Sequence, residues 1–230
     1  VNVDVVANLA TVRAQIDAAV ARAGRRSGEV QLLAVSKTHP AAAVRSAFAA
    51  GQRAFGENRV QELAAKAAEL RDLDSVQWHL IGSLQTNKVR ELLAVPGLAL
   101  VHSLDRPRLA DELQRELAPT GRRLAVLLQA NVTGEASKHG CPPGELPALL
   151  AHVQQRAPAL VVEGLMAMGP LEGDPVQAFA LASRLRDELR AASGLSLPTL
   201  SLGMSGDLDA AVAAGSTLVR IGTAVFGRRD

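Results

Sequence analysis

From Val30 to Leu70 the chain reads VQLLAVSKTHPAAAVRSAFAAGQRAFGENRVQELAAKAAEL. An apolar run, Val30–Ser36, gives way to an amphipathic stretch, Ala41–Ala50. A second short run, Arg53–Gly56, leads into another amphipathic stretch, Arg59–Leu70. Strand-like runs that alternate with helical periodicity indicate parallel strands joined by helical crossovers. The alternation continues downstream. Further strands are expected at Val76–Ile81, Leu98–Ser103, Leu124–Asn131, Leu160–Met166, Pro198–Leu202 and Thr217–Ile221. Between them, helices are expected at Asn87–Ala94, Pro107–Leu117, Gly144–Arg156, Pro175–Ala192 and Gly206–Ala214. Ahead of the first strand, Val5, Leu9, Val12, Ile16 and Val20 form one helical face, with Gly24 as its stop. Eight such strands within 230 residues predict an α/β fold: a single (β/α)8 TIM-type barrel with an extra N-terminal helix, one domain over residues 1–230. An open doubly wound sheet is the alternative architecture. The absence of a glycine-rich dinucleotide turn after the first strand counts against it. The segment Thr133–Leu146 is the longest irregular stretch and is expected to be mobile.

Composition narrows the class. Aromatic residues make up 2%, with no tyrosine, so the core must be aliphatic and no mechanism can use a phenol. Net charge is +2, and the Arg25/Arg26, Arg122/Arg123 and Arg228/Arg229 pairs are dispersed. Without aromatic platforms, nucleic-acid binding by stacking is not expected. The single Cys141 excludes an internal disulfide and a multi-cysteine metal site. No run approaches the ~18 apolar residues of a membrane span, and no secretory signal is seen. A cytoplasmic location is expected.

Basic-residue usage is more pointed. Of 25 basic residues only Lys37, Lys66, Lys88 and Lys138 are lysines. A chain that uses arginine for surface charge keeps a lysine for a reason, and only the lysine amine can attack a carbonyl. Lys37 directly follows Leu32-Leu33-Ala34-Val35, at the end of the first strand, where partial desolvation favours a neutral amine. In a barrel, reactive groups gather at the C-terminal strand ends. Those of strands seven and eight carry Gly203-Met204-Ser205-Gly206 and Arg220-Ile221-Gly222-Thr223, glycine and hydroxyl groups suited to a phosphate. Together they fit a phosphorylated aldehyde lying across the barrel mouth. Alternation places Arg220 opposite to Val219 and Ile221, either on a ligand ring nitrogen or in an ion pair with a carboxylate such as Glu163. His79 and His102 are read as core or rim histidines, Lys66 as a solvated mid-helix residue, and Cys141 as an inert thiol. Lys88 and Lys138 are read as secondary anion contacts or plain surface groups.

Longer motifs then carry a resemblance. They are Ala34-Val35-Ser36-Lys37-Thr38, Phe55-Gly56-Glu57-Asn58-Arg59-Val60-Gln61-Glu62 and Trp78-His79-Leu80-Ile81-Gly82-Ser83-Leu84-Gln85-Thr86-Asn87-Lys88. Further along come His102-Ser103-Leu104-Asp105, Gly164-Leu165-Met166, Gly203-Met204-Ser205 and Gly215-Ser216-Thr217-Leu218-Val219-Arg220-Ile221-Gly222-Thr223-Ala224. In this order they resemble the pyridoxal phosphate homeostasis proteins. The resemblance implies a barrel similar to the N-terminal domain of alanine racemase, with pyridoxal 5'-phosphate (PLP) held as an imine on Lys37. It also implies Arg220 at the pyridine nitrogen, Asn58 near the ring, and Ser205, Gly222 and Thr223 on the phosphate. Ser83 and Thr86 depart from the family's usual His and Ser, and the tail from Gly227 lacks its usual aromatic.

Three functions compete. The first is a PLP carrier that acts in intracellular homeostasis and passes the cofactor to apo-enzymes, without robust catalysis and as a monomer. The second is a PLP-dependent amino-acid racemase, which on this scaffold pairs a lysine with a tyrosine; the chain has no tyrosine. The third is an aldolase-type barrel with Lys37 on a sugar-phosphate carbonyl, which the family motifs disfavour.

Overall fold

In the fifth strand the side chains of Leu124, Val126, Leu128 and Ala130 pack outward under helices, whereas Ala125 and Leu127 turn to the opposite face. That period of two repeats around a ring. The computed structural model describes residues 3–135 and 139–228. Its strands are β1 (Gln31–Val35), β2 (Ala54–Glu57), β3 (Gln77–Leu80), β4 (Leu98–Leu104), β5 (Leu124–Ala130), β6 (Leu160–Ala167), β7 (Thr199–Ser201) and β8 (Leu218–Ile221). They pair in parallel in chain order and close into a barrel. Closure comes from β1 and β8, where Ala34 faces Ile221 and Leu33 faces Arg220. An open doubly wound sheet would leave those two edges free, so that alternative is overturned.

The helices are α1 (Val5–Arg22), α2 (Ala41–Ala49), α3 (Val60–Glu69), α4 (Val89–Leu93), α5 (Pro107–Leu117), α6 (Leu146–Arg156), α7 (Val176–Ser193), α8 (Leu208–Ala213) and α9 (Thr223–Phe226). Every strand and helix expected from the sequence is present, with small shifts at the ends. The helix expected at Asn87–Ala94 is a 3-10 turn, Thr86–Lys88, that runs into α4. The short α9 was not anticipated, because four residues carry no readable periodicity. Asp4 caps α1 by accepting a hydrogen bond from the Ala7 amide at 3.0 Å. Val5, Leu9, Val12, Ile16, Ala19 and Val20 are its buried face. No crossover helix precedes β1, and α1 fills that place, packing on α2, α8 and α9.

The main core lies between strands and helices. Inside the barrel, Leu100, Leu127 and Met166 form a small apolar plug. Gly164 marks the tightest strand contact, since a Cβ there would lie 1.7 Å from the Thr199 carbonyl oxygen. In the segment Thr133–Leu146, Cys141 is tied to β5: its amide donates to Gln129 O at 2.7 Å and its carbonyl accepts from the Asn131 amide at 3.0 Å. The part of that segment at 136–138, including Lys138, lies outside the described residues. No described helix is long and apolar enough to cross a membrane.

Candidate functional site

Strand parity decides which side chains reach the barrel mouth. On β1 Ala34 packs outward, so Val35 and Lys37 point inward; on β8 Val219 and Ile221 pack outward, so Arg220 points inward. The inward groups line a cavity of about 520 Å3 at the C-terminal ends of the strands. Lys37, Asn58, Ser205, Arg220, Gly222 and Thr223 are all in its wall. The three methionines of the chain, Met166, Met168 and Met204, line it as well. Sequence reasoning had not assigned these methionines, nor Gln129 and His139, although Met166 and Gln129 have the inward parity of their strands.

Two glycines let the loops of the rim approach each other. At Gly82 a Cβ would stand 2.1 Å from the Asn58 carbonyl oxygen, so the loops after β2 and β3 touch through backbone. At Gly222 a Cβ would meet Val35 O at 3.0 Å. Gly222 is the N-cap of the four-residue α9, and its carbonyl accepts from the Val225 amide at 2.8 Å and the Phe226 amide at 2.9 Å. Ser205 and Thr223 are exposed hydroxyls on the loop after β7 and at the start of α9, on the same wall.

Arg220 is buried, at 6% exposure. Its Nη1 donates to Ser201 O at 2.8 Å and Ser201 Oγ at 2.7 Å, and its Nη2 donates to Ala167 O at 3.0 Å. The suggested ion pair with Glu163 is therefore absent: the guanidinium is held by carbonyls and a hydroxyl. Burial lowers its pKa to about 10, which leaves it a cation at neutral pH. Ser201 Oγ lies 3.3 Å from His102 Nδ1, and His102 Nε2 lies 3.0 Å from His79 Nδ1. With Ser201 accepting from Arg220, its hydroxyl proton serves His102 Nδ1 and His102 Nε2–H serves His79. Burial lowers His79 to about 4. His102 falls well below its ordinary value through burial, then His79, then the Arg220 charge. Both are satisfied core histidines, and neither lines the cavity.

Lys37 is half-buried, and its amine has no hydrogen bond or ion pair among the described residues. Lys66, expected to be solvated, is buried at 7% exposure. Its Nζ donates to Ser36 O at 2.6 Å, Glu57 Oε1 at 2.7 Å and Glu62 Oε1 at 2.8 Å. The reason is its place on α3: Val60, Leu63, Lys66 and Ala67 form the buried stripe. Glu57 is fully buried and accepts from Ser36 Oγ at 2.6 Å, while its Oε2 has no partner. Burial raises its carboxyl pKa against the opposing pull of Lys66 and Ser36. Lys88 is paired with Glu91 at 2.9 Å and stands outside the cavity wall. Cys141 is buried, and burial pushes its thiol up to about 11, away from the reactive thiolate.

The sequence model of the family described as "Alanine racemase, N-terminal domain" matches residues 7–230. The pyridoxal phosphate homeostasis protein of Pseudomonas aeruginosa is 50% identical over 223 residues, covering 97% of this chain and 95% of that protein. PipY of Synechococcus elongatus, in a structure with PLP bound, is 41% identical and superposes with a TM-score of 0.85 over 97% of this chain and 100% of that one. Alanine racemase of Corynebacterium glutamicum shares the fold at 18% identity, with a TM-score of 0.69 over 95% of this chain but 61% of its own. A barrel with a free lysine after its first strand, a buried arginine on its last, and relatives this similar over nearly their whole length thus belongs to the alanine racemase N-terminal domain family, and within it to the pyridoxal phosphate homeostasis proteins.

Proposed function

We propose that this chain binds PLP across the barrel mouth, bound covalently through Lys37, and acts in intracellular PLP homeostasis by holding the cofactor and passing it to apo-enzymes. The observation that carries the reading is one cavity lined just after β1 by a lysine whose amine has no partner among the described residues and, on the β7–β8 side, by a buried cation and exposed hydroxyls. These groups fit the cofactor. PLP supplies an aldehyde carbon that takes an amine nitrogen with loss of water. Ser205, Gly222 and Thr223 would hold its phosphate, Asn58 would lie near the ring, and Arg220 would face the ring nitrogen. A cation there disfavours protonation of that nitrogen and weakens the ring as an electron sink. The missing tyrosine argues for a carrier rather than a racemase. We expect it to work as a monomer in the cytoplasm, without nucleic acid or membrane as partner.

Titration of the purified protein with PLP tests this. We expect visible absorbance to develop in the wild type and to be lost in Lys37→Ala, with both proteins folded. Equal absorbance in the variant overturns the role of Lys37. Alanine racemisation at enzyme-like rates by the loaded protein overturns the carrier reading.

A further inference from the structure

Behind Lys37, between the strand wall and α3, three charged side chains converge on the backbone at either side of it. These side chains tie residue 36 twice: its carbonyl accepts from Lys66 Nζ at 2.6 Å, and its hydroxyl donates to Glu57 Oε1 at 2.6 Å, while the same carbonyl accepts from the His39 amide at 3.0 Å across the turn. Residue 38 is tied once, its amide donating to Glu62 Oε1. Thr38 has φ +68, in the left-handed region that a β-branched side chain rarely enters, so this turn persists only where its surroundings enforce it. Lys66 joins the ties, because the same Nζ also bonds Glu57 Oε1 at 2.7 Å and Glu62 Oε1 at 2.8 Å.

An ammonium group has three N–H donors and no acceptor, and all three donors of Lys66 are engaged. With all three N–H groups donating, its nitrogen offers no lone pair for carbonyl attack. Two lysines at this turn are thereby divided: Lys66 is committed to structure, and Lys37 has no partner among the described residues. Residue 37 lies between the two tied residues, and its side chain lines the cavity.

We propose that Lys66, with Glu57 and Glu62, is a positioning cluster that clamps the backbone on both sides of Lys37 and so presents its amine to the cavity. The consequence for cofactor uptake rests on the PLP reading above; the clamping of the turn does not. Releasing the clamp leaves Lys37 chemically intact but spread over several orientations, and affinity falls with the fraction correctly oriented.

Glu62 is the gentler place to test, since its side chain is 25% exposed and Glu62→Ala is expected to fold. Amide hydrogen exchange of the cofactor-free protein is the first readout. Glu62→Ala is expected to speed exchange at Thr38 by about tenfold through loss of local protection. Glu62→Gln, which keeps an acceptor oxygen, is expected to restore protection. PLP titration is the second readout: Glu62→Ala and Lys66→Met are expected to weaken apparent affinity by roughly tenfold, and Glu62→Gln to recover most of it. Unchanged exchange at Thr38 in Glu62→Ala overturns the proposal. So does wild-type PLP affinity in folded Glu62→Ala, or a Lys66→Met variant that melts earlier yet binds normally. Failure of the wild type itself to take up PLP overturns the function reading instead, and exchange at Thr38 still decides whether the cluster clamps the turn.

Discussion

His79 and His102 lie in the barrel interior without charge, and that has a price in acid. Burial lowers His79 from an ordinary 6.5 to about 4, and burial, then the neighbours His79 and Arg220, hold His102 well below its ordinary value. Between those values the unfolded chain binds protons that the folded chain refuses, so the stabilisation is complete above about pH 6.5 and is lost as pH falls toward 4. Each histidine contributes a slope of about 1.4 kcal/mol per pH unit in that window. Glu57, raised by burial, contributes with the opposite sign. Urea unfolding at pH 7 and pH 5 isolates the histidines when wild type is compared with His79→Gln/His102→Gln, because Glu57 is common to both. The wild type is expected to lose roughly 2–4 kcal/mol more than the double variant over that interval; identical losses would contradict the buried neutral pair. At this scale Lys37 and Arg220 were legible in the sequence, because strand ends and strand parity identify inward groups. Lys66 was misread. It stands three residues after Leu63 on the apolar stripe of α3, and that spacing was the signal that it is buried rather than solvated. Glu62 stands four residues before it on the same helix, a readable ion-pair spacing, but no spacing revealed Glu57, which comes from a different element.

Elements are set by apolar periodicity, and periodicity recovers them well wherever they are long enough to show it. The four-residue β2 was legible only because the alternation on either side required a strand there, and α9 was not legible at all. Loop-to-loop contacts at the rim were equally hidden. Gly82 reads in sequence as a turn residue, but its function is to let the loop after β3 lie against the Asn58 carbonyl, with no room for a Cβ at 2.1 Å. Gly82→Ala must therefore push the two loops apart and displace Asn58. We expect a loss of about 1–3 kcal/mol in stability, as in other overpacked sites, together with at least tenfold weaker PLP binding. Gly144→Ala is the control, because a Cβ there meets nothing within 4 Å and the backbone is not left-handed; it should fall within about 0.5 kcal/mol of wild type. Equal behaviour of the two variants in thermal melts and PLP titration would show that the contact at Asn58 is unimportant.

For the whole molecule, closure of the β1–β8 seam brings the end of the chain's first strand beside its last. Lys37 and Thr223 are distant in sequence but share one wall because Ala34 pairs with Ile221. The barrel was legible because strand count and strand parity agree, and the six residues expected at the site all line one cavity. The methionine lining and the clamp behind Lys37 depend on how elements pack, which no single stretch records. The central claim is that the barrel's cofactor is attached at Lys37, and borohydride reduction of the PLP-treated protein followed by tryptic mapping tests it directly. A reduced pyridoxyl group on Lys37 blocks cleavage there, so residues 27–45 should appear as one intact peptide carrying the added mass. Cleavage at Lys37 with the label on Lys66, Lys88 or no lysine at all would contradict the account.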